Sequence, residues 1–154
     1  MSDFGTVWRA HQKEVEDRIL SIVPSERPTT RFRRWSPGRE DSRQFSEIYG
    51  HDAIRLFVVA PPTTQDVITI GSGVHKLRCV SPIVIGYPLG DEYAVALRDD
   101  YDAIRRCLNA NHTETDSVDF RVVSTDGWTP PEEDEEHKWQ WVNVPLLTVL
   151  ETDA

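Results

Sequence analysis

The chain has 154 residues, 38 % hydrophobic and 28 % charged, with a formal net charge of −9. At this length one domain, residues 1–154, buries roughly two thirds of its unfolded surface, so it needs neither disulfides nor a structural metal to fold. The acidic balance excludes general coating of nucleic acid, which requires clustered Lys and Arg to displace counterions. No apolar run approaches the roughly 20 residues of a spanning helix. The N-terminus carries acids where a signal peptide carries positive charge, which predicts a cytoplasmic location in the cell or host.

Residues 3–23 predict an amphipathic helix. Phe4, Val7, Trp8, Val15, Ile19, Ile22 and Val23 recur at steps of three and four, His11 falls on the same face, Ser2 or Asp3 can cap the start, and Pro24 and Pro28 end it. RFRRW at 31–35 predicts a short strand, SPGREDS at 36–42 a loop, and RQFSEIYG at 43–50 a segment with Phe45 and Tyr49 among polar residues. AIRLFVVA at 53–60 is a strongly apolar strand stopped by Pro61 and Pro62. TTQDVITIGSG at 63–73 reads as a polar connection with a short extended piece, its Gly-Ser-Gly a turn. VHKLRCVSPIVIGYPLG at 74–90 is a second major strand, in which Pro82 implies an edge or a bulge. DDYDAIRRCLNANH at 99–112 predicts a second helix, capped by Asp99 or Asp100, with Tyr101, Ile104 and Leu108 on one face and Asn109 or Asn111 closing it. SVDFRVVS at 117–124 alternates as a half-buried strand does. TDGWTPPEEDEE is a loop, and HKWQWVNVPLLTVLET at 137–152 is a last strand interrupted by Pro145. Strands grouped in a run predict an α+β fold with a mixed, mostly antiparallel sheet, and the helix at about 99–111 packed on it. Cys79 and Cys107 lie among apolar residues with no C-x-x-C spacing and read as reduced core residues.

Two stretches stand out as candidate contact sites. Arg31, Arg33, Arg34, Trp35, Arg39 and Arg43 form a positive island in an acidic chain. Interleaved arginines and aromatics serve a solvated strand edge guarded by charge, a protein interface, or phosphate pairing and base stacking. Glu132, Glu133, Asp134, Glu135 and Glu136 are five consecutive acids. Such a run points in several directions rather than converging on a metal, so it reads as an open, solvated loop. Trp139 and Trp141 then share one face of the following strand, and a tryptophan pair on one face is core more often than interface. The five histidines have no short metal spacing. Neither a nucleophile elbow nor a phosphate loop occurs, so no catalytic, cofactor-binding or metal-ligating residue is assigned. Opposite charge on the two stretches has one consequence for assembly: if they lie on opposite sides of a subunit, copies can join head to tail and close into a ring.

The layout resembles the tail terminator, or tail completion, proteins of long-tailed bacteriophages. The resemblance lies in the amphipathic first helix (WRAHQKEVEDRILSIV), the Arg- and aromatic-containing extended segment, the long strands AIRLFVVA and LRCVSPIVIGYPLG, the helix DDYDAIRRCLNAN, and the last strand WQWVNVPLLTVLET. It implies a non-enzymatic virion protein of the tail and neck, assembled in the host cytoplasm. It implies a homo-oligomeric ring, typically of six subunits, at the head-proximal end of the tail tube, with the tail tube protein and the head–tail connector protein as partners. DNA passes through the lumen without sequence-specific binding, and no membrane or cofactor is involved. Lumen-facing carboxylates would keep DNA from adhering; Glu132–Glu136 serve either there or in the ring contact. Three other readings remain open: a neck or head-closure connector protein with the same ring logic, a small hydrolase using Asp or Glu with His51 or His137, and a monomeric module whose 31–43 island binds an anionic partner.

Overall fold

A computed structural model describes residues 4–35, 50, 54–62, 64–71, 74–110, 118–122 and 131–153. The described elements are helices α1 (Phe4–Leu20) and α2 (Ala94–Ala110) and strands β1 (Arg33–Arg34), β2 (Leu56–Val59), β3 (Thr64–Gly71), β4 (Val74–Pro88), β5 (Val118–Val122), β6 (Glu132–Asp134) and β7 (Trp139–Asp153). All seven strands join one sheet, whose main path runs β1-β2-β4-β7-β5, with β3 beside β4 and β6 beside β7. Among the described strands, only β1 and β2 pair in parallel. The fold is α+β and mostly antiparallel, as the grouping of strands predicts.

The central pair explains the rest. β4 and β7 are 15 residues each and pair along their whole lengths, from Val74 opposite Asp153 to Pro88 opposite Trp139. Strand side chains alternate between faces, and residues directly opposite share a face. Cys79, Ile83, Ile85 and Tyr87 of β4 therefore meet Val142, Val144, Leu146 and Leu150 of β7 on the face that carries both helices. Trp8, Val15 and Ile19 of α1 and Leu97, Ile104 and Leu108 of α2 close this core. Cys79 is buried and Cys107 half-buried, with the Cys107 Sγ 3.7 Å from the Arg18 carbonyl, and burial pushes the Cys79 pKa up.

Pro82 and Pro145 predict an edge or interruption, yet both lie inside the two central strands, opposite each other. Local pairing accounts for them. The Pro82 carbonyl accepts from the Ala60 N–H (2.9 Å), so its backbone polar groups point away from β7. On that side β3 pairs up to Val80 and β2 starts at Ile83, so the missing N–H falls in the gap between two neighbours. Pro145 likewise points away from β4, into the interval between β6, which ends its pairing at Trp141, and β5, which starts at Leu146.

Four other elements differ from the sequence expectation. The 63–73 stretch is not a polar connection but an eight-residue strand, β3, hairpinned onto β4 through Gly71 opposite Val74. α2 begins five residues before Asp99, after a 3₁₀ turn at Asp91–Tyr93, so Asp99 and Asp100 are interior rather than capping residues. α1 ends at Leu20, which leaves Val23 beyond the apolar face and 64 % exposed. Its C-terminal carbonyls are held by Arg31, whose guanidinium donates to the oxygens of Leu20 (3.4 Å), Ser21 (3.2 Å) and Ile22 (3.0 Å). Glu132–Asp134 is not open loop but a short strand against Trp139–Trp141.

Candidate interaction surface

The two charged stretches lie at opposite edges of one sheet. Arg33 pairs with Leu56, Leu56 with Gly86, Gly86 with Trp141, and Trp141 with Glu132, so these five residues form one row across β1, β2, β4, β7 and β6. Directly opposed residues share a face, which places this row on the sheet face away from the helices. Arg33 ends the row at the basic edge and Glu132 at the acidic edge, and both are exposed.

The structure divides the basic island. Arg31 is exposed, with its guanidinium engaged in capping α1. Arg34, one residue from Arg33, points to the helix side and pairs with Glu16 (3.4 Å). Trp35 anchors the segment: its N–H donates to the Phe57 carbonyl (2.7 Å), and its indole packs edge-on against Trp139 (centroids 5.4 Å, 72° between planes). Arg39 and Arg43 lie outside the described residues, as does His51. The acidic stretch is also divided. Glu132, Glu133, Glu135 and Glu136 are exposed, while Asp134 is half-buried and organises the hairpin. Its Oδ2 accepts from His137 Nδ1 (2.7 Å) and Trp139 Nε1 (2.8 Å), and its Oδ1 from the His137 backbone N–H (3.1 Å). Desolvation alone would raise the Asp134 pKa; the donors from His137 and Trp139 outweigh it and hold the carboxyl below its usual value. Lys138 adopts a left-handed φ of 57° at the turn's end.

Trp139 and Trp141 are not core residues. They stand on the outer face, half-buried, with Trp139 edge-on to Trp141 (6.3 Å) and packed with Trp35 over Leu56. The register explains the reversal: Gln140, Val142 and Val144 take the helix-covered face, and the odd-numbered positions must take the other. Val84, Pro82 and Leu147 extend the outer face, also half-buried. The sequence hides this surface because it is assembled from four strands, and Leu56 and Gly86 carry no local signal.

A second site, invisible in the sequence, is a buried ionic cluster on the other face. Arg55 is fully buried at the start of β2, with a left-handed φ of 58°. Its Nε donates to Asp100 Oδ2 (2.7 Å), its Nη1 to the carbonyls of Arg27 (3.1 Å) and Thr30 (2.8 Å), and its Nη2 to the Glu26 carbonyl. Tyr87 Oη donates to the same Asp100 oxygen (2.5 Å). Arg27 lies over the Tyr93 ring (4.9 Å). The cluster clamps the 26–30 turn to α2 and β4. Burial pushes the Asp100 pKa up against the pull of Tyr87 and Arg55. Burial, with the Asp100 charge beside it, pushes the Tyr87 pKa well above its usual value. Arg55, Asp100 and Tyr87 are buried, while the turn they hold is at the surface.

Among the described residues, no three His, Cys, Asp or Glu side chains come together as a metal ion requires, and no helix is long and apolar enough to cross a membrane. No protein-family model matches the chain, and no curated protein is significantly similar to it.

Proposed function

We propose that the chain is a structural ring subunit at the head-proximal end of a phage tail tube, where the ring stops tube polymerisation and meets the head connector. The observation that carries this reading is the charge polarity of the sheet: Arg33 on the strand at one edge, and Glu132 and Glu133 on the strand at the other. Opposite charge at opposite edges is what a head-to-tail contact needs, and such a contact closes into a ring when the rotation per subunit allows it. The element order of the resemblance supports the same reading. The activity is binding, with DNA passing through the lumen. Glu135 and Glu136, in the turn beyond β6, are the acids left to line it and repel phosphate.

The test is native mass at low and moderate salt, followed by addition to polymerising tube protein. The expected species at low salt is six times the 17.7 kDa chain, and it dissociates as salt screens the edges. Arg33→Glu is expected to weaken assembly about tenfold or more, since it opposes like charges across the contact. Assembly indifferent to Arg33→Glu, or a protein that leaves tube growth unchanged, would count against the reading.

A further inference from the structure

The two charged edges of the sheet have exposed side chains: Arg33 and Arg34 on β1, Glu132 and Glu133 on β6. Among the described residues no strand pairs with the outer side of either. Each edge turns the backbone of one residue outward. The N–H groups of Arg33 and Trp35 donate into β2, to the carbonyls of Arg55 (3.1 Å) and Phe57 (2.7 Å). Backbone groups alternate along a strand, so the N–H and C=O of Arg34, between them, point away from the sheet. On β7, Pro145 points away from β4, and every second residue back to Trp141 and Trp139 does the same. The Lys138 carbonyl, which accepts from the Leu89 N–H just past β4 (2.9 Å), fixes the same phase. Trp141 and Trp139 therefore form the hydrogen-bonded pairs with Glu132 and Asp134, and Glu133, opposite Gln140, turns its N–H and C=O outward.

We propose that the head-to-tail contact is strand addition: β1 of one copy pairs with β6 of the next, and the sheet continues from subunit to subunit. The symmetry rests on the ring reading. β1 runs with β2, and direction then reverses at each step from β2 to β4, to β7, to β6, so β6 runs opposite to β1. A rotation axis parallel to the strands preserves their direction and keeps the helix-covered face of every copy on one side, so β1 meets β6 antiparallel. The outward groups set the register. Arg34 opposite Glu133 exchanges two N–H···O=C bonds, as the hydrogen-bonded pair of an antiparallel ladder does. A slip of two residues puts Arg34 opposite Pro131, which has no N–H, or opposite Glu135, beyond the end of β6. In the selected register Arg34 and Glu133 both stand on the helix side with their charges directly opposed. Arg33 faces Asp134, with Glu132 diagonal to it and within reach of a long side chain. Charge also selects the partner edge. β1 beside β1 sets arginine against arginine, and β6 beside β6 sets carboxylate against carboxylate, so self-pairing of either edge is blocked and the β1–β6 pairing is left.

Strands of two and three residues make a small contact. Backbone hydrogen bonds and surface charge pairs are each worth little, so one contact alone is weak and concentration dependent. Closing a ring engages every copy at both edges, which turns weak contacts into a stable assembly. Arg34 gives up only its 3.4 Å contact with Glu16, from a side chain already 62 % exposed. Salt weakens the charge pairs and leaves the backbone bonds in place.

The experiment is native mass at low salt over a concentration series, with wild type, Glu133→Gln, Glu133→Pro, Arg34→Glu, Glu133→Arg and a 1:1 mixture of the last two, and circular dichroism to check each fold. Proline at 133 is compatible with β6, because the N–H it removes points away from β7. Glu133→Gln and Glu133→Pro both lose the charge, and only proline also loses the donor. Glu133→Pro is expected to need at least about tenfold more protein than Glu133→Gln to assemble. Arg34→Glu and Glu133→Arg are each expected to assemble at least about tenfold more weakly than wild type, and their mixture to regain the six-subunit species with the two variants alternating. A wild-type ring that Glu133→Pro perturbs no more than Glu133→Gln overturns strand addition and leaves the ring reading standing. A mixture that assembles no better than its components also overturns the proposal, and it decides the matter if Glu133→Pro fails to fold. Wild type that joins in this proline-sensitive way, but into open chains that never stop tube growth, keeps strand addition and overturns the ring reading. A wild type that stays monomeric at every concentration overturns both.

Discussion

Replacing Asp100 with alanine is expected to cost about 3–5 kcal/mol of folding free energy, the range for removing one partner of a buried ion pair. The Arg55 and Asp100 side chains are 0 % and 1 % exposed. Without the carboxylate, the guanidinium keeps its carbonyl partners in the 26–30 turn but loses the Asp100 counter-charge. Tyr87 loses its acceptor in the same step. Asp100→Asn is expected to fall short of the alanine loss, because an amide oxygen still accepts from Tyr87 or Arg55 while carrying no charge. Arg55→Met removes the donor to the Glu26 and Thr30 carbonyls and leaves the Arg27 carbonyl with only the Thr30 N–H, so it too destabilises. The double variant Arg55→Met/Asp100→Ala should be more stable than the sum of the single losses implies, by about 1–3 kcal/mol of coupling. Urea denaturation of the four proteins gives the cycle. An Asp100→Ala loss below about 1 kcal/mol would show that the buried pair carries no net interaction.

The same cluster shows what the sequence could and could not disclose. Periodicity identifies α1 and the central strands because their core residues are local: Trp8, Val15 and Ile19 on one helix, Val142, Val144 and Leu146 on one strand. Asp100 was legible only as a cap, since an aspartate pair before an apolar helical run has the form of a start signal. Its true role depends on Arg55, 45 positions away, and on Tyr87. The outer face was lost for a related reason. Trp139 and Trp141 share a face whichever way the strand is turned, and no local rule says which face the helices cover. That is settled by where both helices pack, against Val142, Val144 and Leu146. Pro82 and Pro145 misled because proline reports a missing hydrogen bond. Here the bond is missing because the neighbouring strand changes at that point, and not because the strand lies at an edge. The charged stretches were legible as opposites. That they end one row of one sheet, the geometry on which the head-to-tail proposal turns, follows only from the pairing register.

The second large effect is an acid transition governed by His11. This histidine is 1 % exposed on α1, tilted against Trp8 (centroids 5.6 Å), with its Nε2 and Thr148 Oγ1 2.9 Å apart. Burial, with the Arg18 charge adding to it, lowers its pKa from 6.5 to about 4. The sign follows from which state holds the proton more readily. Between pH 6.5 and about 4 the unfolded chain takes up a proton that the folded chain refuses. The contribution of His11 is therefore complete above 6.5 and is lost as pH falls toward 4. At about 1.4 kcal/mol for each pH unit, the loss amounts to about 3 kcal/mol, a large part of the stability of a domain this size. Asp100 acts in the opposite sense, since its raised pKa makes the folded state the readier acceptor. Asp134, held low, gives up stability only below 3.8. A comparison with His11→Gln isolates the histidine from both, because glutamine keeps a hydrogen-bonding group for Thr148 and does not titrate. Thermal unfolding followed from pH 7.5 to 4 should show wild type losing about 3 kcal/mol relative to the variant as pH falls from about 6.5 to 4. Parallel curves for the two proteins would mean that His11 takes up its proton as readily folded as unfolded, and that the helix-covered core is open to water at this position.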